Sequence, residues 1–99
     1  MRFEGKVAIV TGSGQGIGEA YATALAAEGA SVVVADLNTE QAERVAGEIG
    51  ATGGIAVAVP VDVADPDSAA AMAAAATEAF GGIDCLVNNA AIYAGMKID

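Results

Sequence analysis

Hydrophobic positions along the chain form four short, continuous runs, which cover residues 6–10, 31–35, 55–61 and 83–87. Runs of this length that are rich in β-branched residues are typical of strands buried on both faces of a parallel sheet. Pro60 near the end of the third run favours an edge position for that strand, because proline cannot donate to a strand ladder. The pattern therefore predicts four strands, the third of them at an edge.

The segment after the first run has helical spacing. Its apolar residues recur at i, i+3 and i+4, which places them on one face of a helix, and we expect this face to point inward. The residues of this face are Ile17, Ala20, Tyr21, Ala24 and Leu25. Gly29 is a suitable residue to end the helix, since glycine tolerates the left-handed conformation found there.

Two more helices are predicted further along. Thr39 is the expected N-cap of a helix that runs to about residue 49. We expect its inner face to consist of four residues: Ala42, Val45, Ala46 and Ile49. Asp65 is the expected cap of the third helix, with Pro66 in its first turn. That helix continues through an alanine-rich block to about Phe80 and ends at the glycine pair 81–82.

Strands and helices thus alternate as β-α-β-α-β-α-β, which predicts an α/β fold with a parallel sheet. Right-handed crossovers and the mononucleotide-binding pattern give the strand order 3-2-1-4. The order reverses between strands one and four, so residues 11–16 and 88–91 follow the strand ends at this crevice. Open α/β sheets bind ligands at such a position.

Composition narrows the possible functions. The chain has 99 residues, 55% of them hydrophobic, which indicates one folded domain. No histidine is present, so neither a Ser-His-Asp triad nor a histidine-based metal site can form, and no metal is predicted. The net charge of −9 argues against binding to nucleic acid or to an anionic membrane. A phosphate would have to be held by backbone N–H groups.

The only cysteine, Cys85, lies in the fourth apolar run, where we expect a buried, inert thiol. One cysteine permits no internal disulfide, which fits a reducing compartment. The N-terminal residues lack the apolar core of a signal peptide, and the alanine block is too short to span a membrane. These features predict a cytoplasmic protein.

The segment Thr11-Gly12-Ser13-Gly14-Gln15-Gly16-Ile17-Gly18 joins the first strand to the first helix. Glycines let the backbone turn tightly and approach an anion, and a helix N-terminus offers unpaired N–H groups. The dinucleotide pattern G-x-G-x-x-G does not fit from Gly12, because Ile17 stands at the third glycine. The pattern T-G-x-x-x-G-x-G does fit.

Asp36 ends the second strand, about twenty residues beyond the glycine loop. Folds of this type place there the carboxylate that accepts hydrogen bonds from the adenine ribose hydroxyls and repels a 2′-phosphate. An NADP site would need a nearby cation, and Ser13, Gln15 and Leu37 offer none. The alternative is a strand-end aspartate in a turn before Asn38. The spacing favours the ribose role, and NAD over NADP.

The glycine pattern resembles the cofactor loop of the short-chain dehydrogenase/reductase family. Asp62-Val63 resembles the family's Asp-Val pair at the adenine ring, and residues 88–91 (Asn-Asn-Ala-Ala) resemble its Asn-Asn-Ala-Gly motif. Ala91 replaces the usual glycine. The resemblance implies NAD as cofactor and the following binding residues: Gly12, Ser13, Gly14, Gln15, Gly16, Ile17, Gly18, Asp36, Leu37, Asp62, Val63, Asn89, Ala90 and Ala91.

The resemblance further implies that residues 1–99 form a partial NAD-binding domain with a Rossmann-like fold. The intact protein would be an oxidoreductase that transfers hydride between nicotinamide and a small alcohol or carbonyl substrate, and would form a homo-oligomer. The family's catalytic residues would lie beyond Asp99, so none is assigned here and no turnover is expected of the 99-residue chain.

Tyr93 and Lys97 have the Tyr-x-x-x-Lys spacing of the family's catalytic pair. In the family that pair lies on a later helix, with a serine about a dozen residues upstream. Here Gly95 falls between the two, residue 80 is Phe and the nearest serine upstream is Ser68. We interpret the match as a coincidence of spacing.

Two alternatives remain at this stage. A non-enzymatic nucleotide-binding module would show the same motifs without a catalytic half. An α/β interaction domain with accidental glycines would have to explain four matches in the family's order.

Overall fold

Four strands and three helices alternate in the computed structural model, which describes residues 3–14, 16–62 and 64–88. The elements are β1 (Val7–Thr11), α1 (Gly16–Ala27), β2 (Ser31–Asp36), α2 (Thr39–Ala51), β3 (Ile55–Pro60), α3 (Pro66–Phe80) and β4 (Cys85–Asn88). The strands form one parallel sheet in the order β3-β2-β1-β4. The predicted α/β architecture and strand order are confirmed.

The sheet register aligns the carboxyl ends of all four strands. Thr11, the last residue of β1, is paired with Ala35 of β2 and with Asn88 of β4. Asp36 of β2 is paired with Pro60 of β3. The segments that follow β1, β2 and β3 therefore leave the sheet at the same edge.

The core consists of one apolar layer on each face of the sheet. Alternate residues of β2 supply both layers, since Val32 and Val34 face α1 and α2 while Val33 and Ala35 face α3. The α1/α2 layer contains Val10, Ala22, Ala26, Ala30, Val32, Val34, Ala42, Val45 and Ile49. The α3 layer contains Ile9, Val33, Ala35, Val61, Met72 and Ala76. Both faces of β1 and β2 are thus covered, as their continuous apolar runs predicted.

The predicted inner face of α1 is wrong except at Leu25, which is half-buried and packs against the core. The buried residues of α1 are Gly18, Ala22 and Ala26, whereas Ile17 is 54% and Tyr21 47% exposed. A Cβ atom on Gly18 would collide with the carbonyl oxygen of Gly12. The start of the helix packs so close to the loop that only very small side chains fit between them, and Ile17 and Tyr21 are turned outward.

The N-cap of α2 is Asn38, not the predicted Thr39. Asn38 has extended backbone angles (φ −87°, ψ 96°), and its side-chain Oδ1 accepts a hydrogen bond from the Gln41 N–H at 3.1 Å. The ends of α3 are as predicted. Asp65 caps its first turn, and Gly81 adopts a left-handed conformation (φ 86°) after its last.

Strand β4 begins at Cys85, two residues later than predicted. Asp84 before it makes two bonds to Val7: its Oδ2 accepts from the Val7 N–H (2.8 Å), and its own N–H donates to the Val7 carbonyl (2.9 Å). The Asp84 carboxylate thus takes the place of a backbone carbonyl as the acceptor for the Val7 N–H.

Cys85 is exposed, contrary to the prediction of a buried thiol. The reason is the position of β4, which is an outer strand of the sheet in the part of the chain that the structure describes. Leu86 in the same strand is 55% exposed. Among the residues that the structure describes, no helix is long and apolar enough to cross a lipid bilayer.

Candidate functional site

The backbone of the loop between β1 and α1 changes direction at two glycines. Gly12 (φ 64°) and Gly16 (φ 63°) both adopt the left-handed conformation, which other residues rarely adopt. Thr11 at the start of the loop is buried, and its hydroxyl donates to the Val87 carbonyl at 3.4 Å. The loop therefore begins tied to β4, at the crevice where the strand order reverses.

Ser13 connects the loop to the inside of the sheet. Its side chain is fully buried, and its hydroxyl donates to the carbonyl of Val10 at 2.5 Å and contacts that of Ala35 at 3.4 Å. Its N–H also donates to the Ala35 carbonyl, at 3.2 Å. The Ser13 hydroxyl thus holds the loop against β1 and β2 and faces away from solvent.

Gly14 lies directly against Asp36. The Gly14 N–H donates to Asp36 Oδ2 at 2.7 Å, and the Asn38 N–H donates to Oδ1 at 2.9 Å. A Cβ atom on Gly14 would lie 2.7 Å from the same Oδ2 and 3.0 Å from the Cβ of Gln41. A larger residue at this position would have to push the side chains of Asp36 and Gln41 away. A carboxylate offers about four acceptor positions, so the two bonds leave room for further donors such as hydroxyls.

The first turn of α1 follows the glycine loop. Gly16, Ile17 and Gly18 are its first residues, and the N–H groups at a helix start have no carbonyl partner within the helix. These groups and the helix dipole favour an anion at this position. Two apolar side chains beside the loop are exposed, Ile17 at 54% and Leu37 at 74%. They offer apolar surface next to the polar groups.

The end of β3 is joined to the end of β2. The Val61 N–H donates to the Asp36 carbonyl at 3.1 Å, which holds the next residue, Asp62, near Asp36. Asp62 is exposed, and its Oδ1 accepts from the Ala64 N–H at 3.0 Å. The Asp62 N–H donates to the Ser68 hydroxyl at 2.8 Å. The backbone N–H and the carboxylate of Asp62 are thus both held by hydrogen bonds, and the carboxylate lies at the surface.

Arg44 is a residue of this site that sequence reasoning missed. From α2 its Nη2 donates to the Gly14 carbonyl at 3.1 Å and to Glu19 Oε1 at 3.0 Å. Its Nη1 lies 3.0 Å from Glu48 Oε2, and its Nε donates to Gln41 Oε1 at 2.8 Å. Hydrogen bonds with Glu19 and then Glu48 raise the pKa of the Arg44 guanidinium. The i, i+4 spacing from Arg44 to Glu48 is visible in the sequence, but the contact with Gly14 is not.

Several predicted positions lie outside the described residues. They are Gln15, Val63, Asn89, Ala90 and Ala91 among the cofactor-binding predictions, together with Tyr93 and Lys97. Their assignments stay predictions. Across residues 3–14, 16–62 and 64–88, no group of three or more His, Cys, Asp or Glu side chains could hold a metal ion.

The family profile described as "short chain dehydrogenase" matches residues 6–99. The chain therefore belongs to the short-chain dehydrogenase/reductase family, a family of oxidoreductases, as the glycine loop indicated. The family resemblance rested on the loop, Asp36, Asp62-Val63 and residues 88–91.

Curated relatives and a solved structure agree with this assignment. The chain is 68% identical to an uncharacterized oxidoreductase of Mycobacterium tuberculosis over 97 residues, covering 98% of this chain and 39% of the relative. It is 50% identical to the 2,5-dichloro-2,5-cyclohexadiene-1,4-diol dehydrogenase of Sphingobium indicum, covering 92% and 36%. The crystal structure of a hydroxysteroid dehydrogenase from Escherichia coli superimposes with a TM-score of 0.87 at 44% identity, covering 88% and 37%. The chain thus spans less than two fifths of each.

Proposed function

We propose that this chain is the NAD-binding part of an oxidoreductase that transfers hydride between nicotinamide and an alcohol or carbonyl substrate. The observation that carries the proposal is the contact between Gly14 and Asp36 at 2.7 Å. This contact places the Asp36 carboxylate, which has remaining acceptor capacity, beside the glycine loop that precedes α1. Membership of the short-chain dehydrogenase family supports a nicotinamide dinucleotide as the ligand.

The residues present fit such a cofactor in three places. The first turn of α1, from Gly16 to Gly18, would bind the pyrophosphate through backbone N–H groups, with Gly12 providing the turn. Asp36 would accept hydrogen bonds from the adenine ribose, with Leu37 beside it. Asp62 would accept from the exocyclic amine of adenine. When bound, the nicotinamide supplies the hydride chemistry, and these residues orient the dinucleotide.

The choice of NAD over NADP rests on charge. A 2′-phosphate would lie near the Asp36 carboxylate and be repelled by it. The described residues include two cations, Lys6 and Arg44. Lys6 lies before β1, at the opposite edge of the sheet, and Arg44 is already bonded to Gln41, Glu19, Glu48 and Gly14. A 2′-phosphate would have to displace one of those partners.

The substrate is an alcohol or a carbonyl compound under this proposal. One relative is named for a cyclohexadiene diol, and the superimposed crystal structure is that of a hydroxysteroid dehydrogenase. We propose hydride transfer at a carbinol carbon and leave the compound unassigned. We interpret the Tyr93/Lys97 match as a coincidence of spacing, and we therefore propose no turnover by the chain alone. A cytoplasmic location and a homo-oligomeric state remain further parts of the proposal.

A fluorescence titration tests the cofactor. The protein at its full native length is titrated with NADH and in parallel with NADPH, and the nicotinamide emission is followed. Saturable binding with NADH at least tenfold tighter is expected. Equal affinity or a preference for NADPH would refute the ribose role of Asp36, and no binding of either by a folded sample would refute the cofactor itself.

An activity assay separates the enzyme from a non-enzymatic nucleotide-binding module. NAD⁺ reduction at 340 nm is measured with a panel of secondary alcohols that includes cyclic diols and hydroxysteroids. Turnover with any of them supports the enzyme, whereas tight NADH binding without turnover across the panel favours the module.

A further inference from the structure

Gly14 is held from both sides by a closed ring of hydrogen bonds. Its N–H donates to Asp36 Oδ2, and Oδ1 of the same carboxylate accepts from the Asn38 N–H. The Asn38 side chain accepts from the Gln41 N–H, and the Gln41 side chain accepts from Arg44 Nε at 2.8 Å. Arg44 Nη2 closes the ring on the Gly14 carbonyl at 3.1 Å. We call these five residues the Gly14 ring.

Arg44 is the member of the Gly14 ring that joins three separate segments. Besides the loop carbonyl it contacts Glu19 on α1, at 3.0 Å to Oε1 and 3.5 Å to Oε2. On its own helix it contacts Glu48 at 3.0 Å. The guanidinium has five N–H donors in a rigid plane, and each of its three nitrogens has an acceptor here. A lysine has a single nitrogen and cannot match this geometry.

We propose that Arg44 is a positioning residue for the cofactor, which acts through Gly14 and does not itself contact the ligand. The inference rests on the proposed dinucleotide function. Gly14 immediately precedes the part of the loop that turns into the first helical N–H groups. With its carbonyl held by Arg44 and its N–H by Asp36, the Gly14 peptide groups have fixed orientations before a ligand arrives. Binding then requires less ordering of the loop.

The electrostatic arrangement supports positioning over direct contact. Glu19 and Glu48 both face the guanidinium and offset its positive charge. The side chain of Arg44 is 42% exposed, so its contribution is moderate in size. An arginine that bound a phosphate would need donors directed at the ligand, and the Arg44 donors are directed at Gly14, Glu19, Gln41 and Glu48.

Substitution of Arg44 tests the proposal in the full-length protein. Arg44→Met keeps the length of the stem and removes every donor, while Arg44→Lys keeps the charge. We expect about fivefold weaker NADH binding for Arg44→Met, the loss expected from a partly exposed charge-assisted hydrogen bond. NADPH should weaken by the same factor, and the cofactor KM should rise while kcat changes less than twofold. Arg44→Lys should restore less than half of the lost binding free energy.

Glu48→Gln is the matched control. It removes the ion pair with Glu48 and leaves the Arg44 contact with Gly14, so NADH affinity should stay within twofold of wild type. Melting temperatures of all three variants are recorded without cofactor. A role confined to stability predicts lower melting temperatures with unchanged NADH affinity, and that result would overturn the proposal.

The remaining outcomes separate this inference from the proposed function. Wild-type protein that binds NADH while Arg44→Met binds it equally well would overturn only the role of Arg44. A loss confined to NADPH would also overturn it, because it would show direct contact with the 2′-phosphate. Folded wild-type protein that binds neither cofactor would overturn the proposed function together with this inference.

Discussion

The N–H of Gly14 donates to Oδ2 of Asp36 across 2.7 Å, so the loop after β1 and the end of β2 meet at one hydrogen bond. The second carboxylate oxygen accepts from Asn38, which directs the side chain toward the loop. The carboxylate is therefore held in place before any ligand is present, with acceptor capacity remaining.

Asp36→Asn should change the preference between the two cofactors. The amide loses the negative charge and one acceptor oxygen, so it can keep the bond from the Gly14 N–H or the bond from the Asn38 N–H, but not both. We expect NADH to bind about tenfold more weakly, since a hydrogen bond to a charged group contributes about 1.5–3 kcal/mol. NADPH should bind more tightly, because the repulsion of its 2′-phosphate is gone. The measurement is the ratio of the two dissociation constants.

Glu43→Gln serves as the control for this experiment. Glu43 is an exposed residue of α2, and its substitution changes the net charge by the same amount. The ratio of NADH to NADPH affinity should not move. If both substitutions shift the ratio equally, the preference comes from net charge and the specific role of Asp36 is refuted.

Gly18→Ala should destabilise the protein. The added Cβ would collide with the Gly12 carbonyl oxygen, a backbone atom that cannot move without distorting the loop. We expect a loss of about 1–3 kcal/mol in the free energy of unfolding, typical of overpacked sites. Chemical denaturation monitored by circular dichroism measures it.

Gly47→Ala is the matched control within α2. A Cβ at Gly47 meets no atom within 4 Å, and the residue is in the interior of the helix. Alanine is there about 1 kcal/mol more favourable than glycine, so this variant should be more stable than wild type. A stabilising effect of Gly18→Ala would show that α1 does not pack on the loop as described.

Asn38→Ala should weaken α2, because the helix loses the side chain that caps its Gln41 N–H. The expected cost is about 1 kcal/mol. Thr39→Ala should have a much smaller effect, since Thr39 is the first helical residue and not the cap. Melting temperatures of the two variants decide between these positions, and a larger loss for Thr39→Ala would favour the cap that sequence reasoning predicted.

Ser13→Ala should lower stability more than cofactor affinity. The buried hydroxyl bonds to the Val10 carbonyl and lies near that of Ala35, so its removal should cost about 1–2 kcal/mol. Thr77→Ala removes a hydroxyl that bonds to the Ala73 carbonyl at an exposed position of α3, and little change is expected. NADH affinity of folded Ser13→Ala within threefold of wild type would support a structural role for the hydroxyl. A large loss of affinity with unchanged stability would instead indicate contact with the cofactor.

Local sequence patterns predicted the strands, their order and the limits of α3. Pro66 after Asp65, with Gly81 at the other end, fixes that helix through residues adjacent in the chain, so tertiary context was not needed. The sheet order followed from the alternation of strands and helices and the hand of the crossovers.

The errors concern features that depend on packing. Periodicity identified α1 but placed Ile17 and Tyr21 on its inner face, because apolar residues recur there at helical spacing and the close approach of the helix to the loop could not be foreseen. Asn38 and Thr39 are both good caps, and the bond from the Asn38 N–H to Asp36 is consistent with the helix starting after Asn38. The contact of Arg44 with Gly14 depends on how α2 lies beside the loop, which no spacing in the sequence encodes.

The stripe of small residues on α1 has a geometric consequence. From Gly18 to Ala26 it extends eight residues, or about 12 Å at 1.5 Å per residue. Because Gly18 contacts Gly12 directly, a bulkier residue at the fully buried Ala22 would push the helix away from the sheet and tilt it about its first turn. The direction in which the N-terminal N–H groups point is thus sensitive to side-chain volume at the next buried position of the helix, one turn beyond Gly18. A substitution in the core could alter the angle at which a phosphate is held while leaving every residue of the loop unchanged.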